Sequence, residues 1–283
     1  STWRRCSCWV ARSCSARSCF WPPETLRLQL PMTLPLSPPL PPQLARSRTS
    51  LPTGDGWAYE PKWDGFRALA FVDGADTHLQ SRNGKPLSRY FPEVVLPPGR
   101  YVIDGELVIR DAEGHEEFDT LSQRIHPAAS RIAKLSVEIP ATFVAFDLLA
   151  LDDEILMERP YPDRRAALEA FVTAPIELTP SVRTAEEAQG WLHSAEGVMA
   201  KEVDAPYRPG ERTGMVKIKR VRTIDAVVMG WRPGKEEGTV GALILGLYEE
   251  DGRLREVGHS SGFTAKRKRE MVGELAPYET GER

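Results

Sequence analysis

Glu60-Pro61-Lys62-Trp63-Asp64-Gly65-Phe66-Arg67 is the stretch on which the reading of this 283-residue chain turns. Directly after it comes FRALAFV, residues 66–72, an apolar run with the composition of a β-strand. Asp64 and Gly65 make a tight turn after the lysine, which fixes the amine and lets a ligand approach the backbone. A lysine in water is protonated and attacks nothing. It becomes a nucleophile only where desolvation or neighbouring positive charge lowers its pKa. Lys217 and Lys219, in MVKIKR, are candidates for that charge, because alternate residues of a strand point the same way. Taken alone, K-x-D-G also reads as a strand-end turn carrying a solvated lysine.

Working outward, THLQS, RYVIDGELVI and TFVAFDLLAL read as further strands, and Asp73-Gly74 marks a hairpin between two of them. Helices are expected over Tyr161–Val172 and over Thr184–Ala195, the second opening on a Thr184/Glu187 capping box. The fold class is therefore α+β. IDGELVI sets Asp104, Gly105 and Glu106 inside an apolar strand, where unpaired carboxylates are costly to bury. Glu106 would face a ribose hydroxyl or a metal, and Glu196 opens a similar run, EGVMAK. Two carboxylates from separate strands suit Mg²⁺; acids on a solvated edge are the plainer alternative. Arg82 precedes the Asn83-Gly84 turn and could grip a phosphate or ribose oxygen. In FVAFDLL, strand alternation separates Phe143 from Phe146, so only one ring could stack on a base; the other is core.

Composition bounds these readings. The chain is 41% hydrophobic and 27% charged with a net charge of −3, so a basic nucleic-acid surface would have to be local. No apolar run reaches the length of a membrane span. All four cysteines, Cys6, Cys8, Cys14 and Cys19, precede residue 20, in a spacing that lacks the paired C-x2-C of zinc sites. The cysteine-free remainder fits a reducing cytoplasm. Residues 1–31 match no helix or strand template; they read as an Arg/Ser-rich targeting segment or as sequence upstream of a start at Met32. Prolines crowd the stretch from Pro22 to Pro52, which predicts an extended lead-in. Near Arg220 a second pattern begins: DAVVMGW, VGALILGLY and RLREVG as strands, then a helix from Thr264 with Met271, Val272 and Leu275 on its apolar face.

The ordered elements KWDGFR, SRNG, DGEL, FVAFDLL, EGVMAK and VKIK resemble the covalent nucleotidyltransferase superfamily of ATP-dependent DNA ligases, RNA ligases and mRNA capping enzymes. YEPKWDGFRAL, LQSRNGK, RYFPEV, DGELV and EGVMAK look most like bacterial ATP-dependent DNA ligases of the ligase C and ligase D type, and the absence of polymerase and nuclease modules favours the stand-alone C type. The resemblance implies a non-family segment at 1–31, an adenylation domain of antiparallel sheets flanked by helices at 32–220, and the start of an OB-fold barrel at 221–283. It implies ATP as cosubstrate, with AMP carried covalently on Lys62, and Mg²⁺ or Mn²⁺ held by Glu106 and Glu196. Glu60 resembles the position that reads the adenine edge, Phe146 the stacking ring, and Arg67 and Arg82 the arginines on ribose and phosphate. Glu106 resembles the ribose-contacting glutamate, and Lys217 and Lys219 the lysines on the α-phosphate. Arg82, Lys266, Arg267, Lys268 and Arg269 would touch DNA. The implied partner is nicked or broken double-stranded DNA, with other DNA-repair proteins. The implied setting is a monomer in the bacterial cytoplasm, associated with the nucleoid.

The family closes its OB-fold with a basic motif that no segment after Gly262 matches, so the expectation is a truncated barrel with self-adenylation in doubt. An RNA ligase, a capping-type guanylyltransferase and an inactive nucleic-acid-binding fragment are the alternatives.

Overall fold

The computed structural model describes residues 33–220 and 223–281; the cysteine cluster and the 1–31 segment lie outside them. Two compact units divide between Arg220 and Val221. In the first unit the strands are β1 (Arg46–Arg48), β2 (Trp57–Pro61), β3 (Phe66–Gly74), β4 (Asp76–Ser81), β5 (Gly99–Val108), β6 (Thr142–Leu151), β7 (Glu154–Ile155), β8 (Glu177–Leu178), β9 (Gly197–Glu202) and β10 (Met215–Lys219). They form one sheet in the order β4-β3-β5-β6-β7, with β8 parallel beside β6, and a second in the order β1-β10-β9-β2. All pairings are antiparallel except β1 with β10 and β6 with β8.

Alternation decides what each strand presents. Tyr101, Ile103 and Leu107 of β5 enter the larger core with Ala68, Ala70 and Val72 of β3. This leaves Val102, Asp104 and Glu106 on the opposite face. The larger core is closed by Leu121 of α1 (Phe118–Ser122) and by Leu168 and Phe171 of α3 (Tyr161–Phe171); α2 (Ala129–Glu138) buries only Ile132 and Leu135. On the other face, Leu69, Phe71, Val102 and Leu149 pack under Leu34, Leu36 and Leu40. The proline-rich stretch is thus more than a lead-in: from Leu34 on it covers a sheet face. Leu34, Leu36 and Leu40 share one parity, but the prolines between them withhold backbone donors from a strand, so the run does not read as an element with a buried face.

Asp73 pairs with Asp76 across the expected hairpin, whose Gly74 has φ +65°. The helix expected over Thr184–Ala195 is two short pieces, α4 (Ala185–Ala188) and α5 (Trp191–Ser194), with Gly190 at the break. The capping box of Thr184 and Glu187 is present. In the second unit β11 (Val227–Pro233), β12 (Val240–Tyr248) and β13 (Leu254–Ser260) form an antiparallel sheet, and α6 (Ala265–Leu275) follows, capped by Thr264 and burying Met271.

A Cβ at Gly105 would collide with the Val144 carbonyl and with the Phe143 ring at 2.6 Å, because β5 and β6 approach closely there. Gly105→Ala should therefore destabilise the first unit by about 1–3 kcal/mol. Urea unfolding followed by tryptophan fluorescence checks this; an unchanged midpoint would contradict the close approach.

Candidate active site

Lys62 leaves the end of β2 with its amide donating to the Gly197 carbonyl at 2.9 Å. The turn after it is held on three sides. The Asp64 amide donates to Glu116 at 2.8 Å, the Trp63 indole donates to Thr179 at 2.9 Å, and Arg110 lies 5.0 Å over the Trp63 ring. Gly65 packs against the backbone of β5, where a Cβ would strike the Leu107 carbonyl and the Glu106 side chain. The Lys62 amine, about one-fifth exposed, ion-pairs with Glu196 Oε2, and Lys219 donates to Glu196 Oε1 at 2.8 Å. Burial holds the Lys62 ammonium below the ordinary lysine range. Lys219 and Lys217 push the same way, while Glu106 and Asp64 oppose them.

Glu106 stands opposite Arg67 in the β3–β5 register, and burial pushes its carboxyl up to about 8 against the pull of Arg67 and Lys62. The Arg67 guanidinium makes two 2.6 Å bonds to Asp104 and lies 4.5 Å over the Phe146 ring. Asp104 also accepts from the Tyr207 hydroxyl at 2.6 Å, and that hydroxyl accepts from the Gln43 amide at 2.9 Å. So Arg67 does line the pocket, but its guanidinium fork is already spent on Asp104. Phe146 sits at a register shift: Gly105 opposes Ala145 and Asp104 opposes Asp147. Phe143 is core, and Phe146 is the ring that reaches the pocket.

At the inner wall, Glu60 is buried and its Oε1 accepts from Tyr161 at 2.7 Å and from Lys201 at 2.9 Å. Lys201 donates as well to the Phe146 carbonyl at 2.9 Å, and Asp147 lies 3.8 Å away, itself paired with Arg164. Arg82, Arg212 and Lys217 line the same pocket with no carboxylate partner among the described residues. The structure thus gathers Glu60, Lys62, Arg67, Arg82, Glu106, Phe146 and Lys217 around one pocket, and brings Glu196 and Lys219 to the Lys62 amine. Lys266, Arg267, Lys268 and Arg269 lie on α6 in the second unit. Arg267 is bound to Glu274, Lys266 faces Glu270 and Arg269 faces Glu236, which leaves Lys268 without an acidic partner among the described residues.

Sequence reasoning missed Lys201, Tyr161, Tyr207, Gln43, Glu116 and Arg212. Only Lys201 had a legible signal: it closes the EGVMAK run, three residues after the strand turns apolar at Val198, yet a lone lysine there is ordinary.

Comparison with known proteins identifies the family and the fold. The ATP dependent DNA ligase domain matches residues 42–219. DNA ligase C1 of Mycolicibacterium smegmatis is 46% identical over 268 residues, 89% of this chain and 76% of that protein. DNA ligase C of Mycobacterium tuberculosis is 44% identical, over 88% and 74%. A solved mycobacterial DNA ligase D complexed with ATP and MES aligns with a TM-score of 0.58 at 31% identity, over 86% of this chain and 79% of that one. The fold is that of a ligase nucleotidyltransferase domain. The chain belongs to the ATP-dependent DNA ligase family.

A carboxyl whose folded pKa is raised favours its protonated form. The stability it contributes is present at acid pH and is lost as pH rises from the ordinary carboxylate range through about 8. Glu106→Gln removes that loss. The stability difference between Glu106→Gln and wild type should therefore shift in the variant's favour from pH 5 to pH 8.5, measured by urea denaturation at both values. A difference independent of pH would contradict the burial of this carboxyl.

Proposed function

We propose that this chain seals breaks in double-stranded DNA through an AMP carried on Lys62. The observation that carries this reading is the half-buried Lys62 amine, held below the ordinary lysine range beside a pocket lined by Arg82, Arg212 and Lys217, which have no carboxylate partner among the described residues. Lys62 Nζ attacks the α-phosphorus of ATP, the bond to the β-phosphate oxygen breaks, pyrophosphate leaves and the amine proton passes to solvent. A DNA 5′-phosphate oxygen then attacks the same phosphorus, and the Lys62 amine leaves. The neighbouring 3′-hydroxyl attacks the activated DNA phosphate and AMP departs.

This chain's residues divide the work. Phe146 offers a ring face to the adenine, Glu60 an acceptor to its edge, and Glu106 an oxygen to the ribose. Lys217 and Lys219 bring positive charge to the α-phosphate, with Arg82 and Arg212 beside them, since stabilising the transferring phosphoryl group is most of such catalysis. Arg67 meets the nucleotide only as far as its bond to Asp104 allows. Before any transfer, Lys62 and Lys219 must release Glu196, because both are bound to it.

Among the described residues no three His, Cys, Asp or Glu side chains cluster as a ready metal cage. The carboxylates of Glu106 and Glu196 nonetheless fit a hard cation whose remaining ligands are phosphate oxygens. They would hold Mg²⁺ or Mn²⁺, which supplies charge neutralisation at the phosphates. For DNA, Arg82 and the α6 residues Lys266, Arg267, Lys268 and Arg269 are the proposed backbone contacts; three of the four on α6 would first exchange a carboxylate for a phosphate. The second unit is proposed to be part of an OB-fold, and the unit boundary to be that between adenylation and OB domains.

Incubation with α-labelled ATP and Mg²⁺ tests the reading. Wild type should gain the mass of one AMP on Lys62, Lys62→Ala should gain none, and α-labelled GTP should give little. Label on another side chain, or preferential capture of GTP, would overturn it.

A further inference from the structure

The inner wall of the pocket holds a carboxylate with unequal oxygens. Glu60 Oε1 takes two hydrogen bonds, from Lys201 at 2.9 Å and from Tyr161 at 2.7 Å. Oε2 takes none among the described residues, although Glu60 lines the pocket. Both donors come from outside β2, Lys201 from β9 and Tyr161 from α3. Each is anchored in turn: Lys201 by the Phe146 carbonyl, Tyr161 by Ser181 at 3.1 Å.

The geometry points to Lys201, with Tyr161, as the positioning residue that makes this pocket read a 6-amino purine and refuse a 6-oxo one. This rests on the reading that Glu60 faces the purine edge. An ionised carboxylate only accepts hydrogen bonds. With Oε1 saturated, Glu60 offers the base one acceptor. That suits the single amino group at position 6 of adenine. It opposes the oxo group of guanine, acceptor against acceptor. It also denies guanine the two free carboxylate oxygens that would grip its adjacent ring N–H and amino group together. The ammonium of Lys201 compensates the charge of a carboxylate held in a buried place. Without Lys201, Oε1 keeps only the Tyr161 donor and can join Oε2 in gripping the ring N–H and amino group of a 6-oxo purine.

The test is equilibrium binding of ATP and of GTP to the full chain, without DNA, in wild type, Lys201→Met, Lys201→Arg and Glu60→Gln. The readout is the ratio of the two dissociation constants. Wild type should favour ATP. Lys201→Met should shrink that preference by about tenfold or more, through weaker ATP and stronger GTP binding. Lys201→Arg, which keeps the charge, should restore most of it. Glu60→Gln covers the case in which Lys201→Met does not fold. Its carbonyl oxygen must stay with the two donors, so its amide N–H₂ takes the place of Oε2, and the preference should fall or invert. A merely structural Lys201 would weaken both nucleotides equally and leave the ratio unchanged; that result, or an unchanged ratio in Glu60→Gln, overturns the inference. Failure of wild type to bind ATP would instead remove the nucleotide reading on which it rests.

Discussion

One ammonium joins the two sheets of the first unit. Lys201, on β9 of the four-stranded sheet, is bonded to Glu60 of the neighbouring β2 and to the Phe146 carbonyl of β6 in the other sheet. Neither charge could stay buried alone: removing one partner of such a pair costs about 3–5 kcal/mol, because the other is left uncompensated. The pair therefore fixes where β2 ends relative to β6. Since Lys62 follows β2 by one residue and Phe146 carries the ring of the pocket, it also fixes the distance between the amine and the stacking surface. A second buried pair, Arg67 with Asp104, does the same on the six-stranded sheet and ties it through Tyr207 to Gln43.

Charge in this protein is governed by what each group is bonded to more than by where it occurs in the chain. The α6 residues Lys266 to Arg269 are four consecutive cations in sequence, but in the fold most of that charge is answered by Glu270, Glu274 and Glu236. Arg82, Arg212 and Lys217 are scattered in sequence, and together they line one pocket with no carboxylate partner among the described residues. A run of like charges is thus a poor guide to field, and a convergence of distant ones a better guide.

This contrast also explains how much was legible beforehand. The strands from Phe66, Gly99 and Thr142 announce themselves by apolar content, and the Thr184–Glu187 cap by a local pairing of residues. Lys62, Glu106 and Glu196 stand out because a lysine before a turn, or an acid inside an apolar strand, is locally anomalous. Tyr161 and Glu60 are 101 residues apart, and Gln43 and Tyr207 are 164 apart. Contacts of that span leave no periodic trace, and each partner taken singly is an unremarkable tyrosine or glutamine. The split of the Thr184–Ala195 helix is illegible for a different reason: Gly190 lowers helix propensity without forbidding the helix, so only packing decides.

The cover supplied by Leu34, Leu36 and Leu40 bears on how this protein can be handled. The family match begins at residue 42, and a fragment excised there would keep every motif residue. It would lose the apolar lid over Leu69, Phe71, Val102 and Leu149, together with the two hydrogen bonds by which Gln80 clasps the Leu40 backbone. A face meant to be dry would then meet water directly beside Arg67 and Asp104. Trimming to the recognisable region is therefore a recipe for insoluble material, whereas cloning from about residue 33 preserves the sheet's own upholstery.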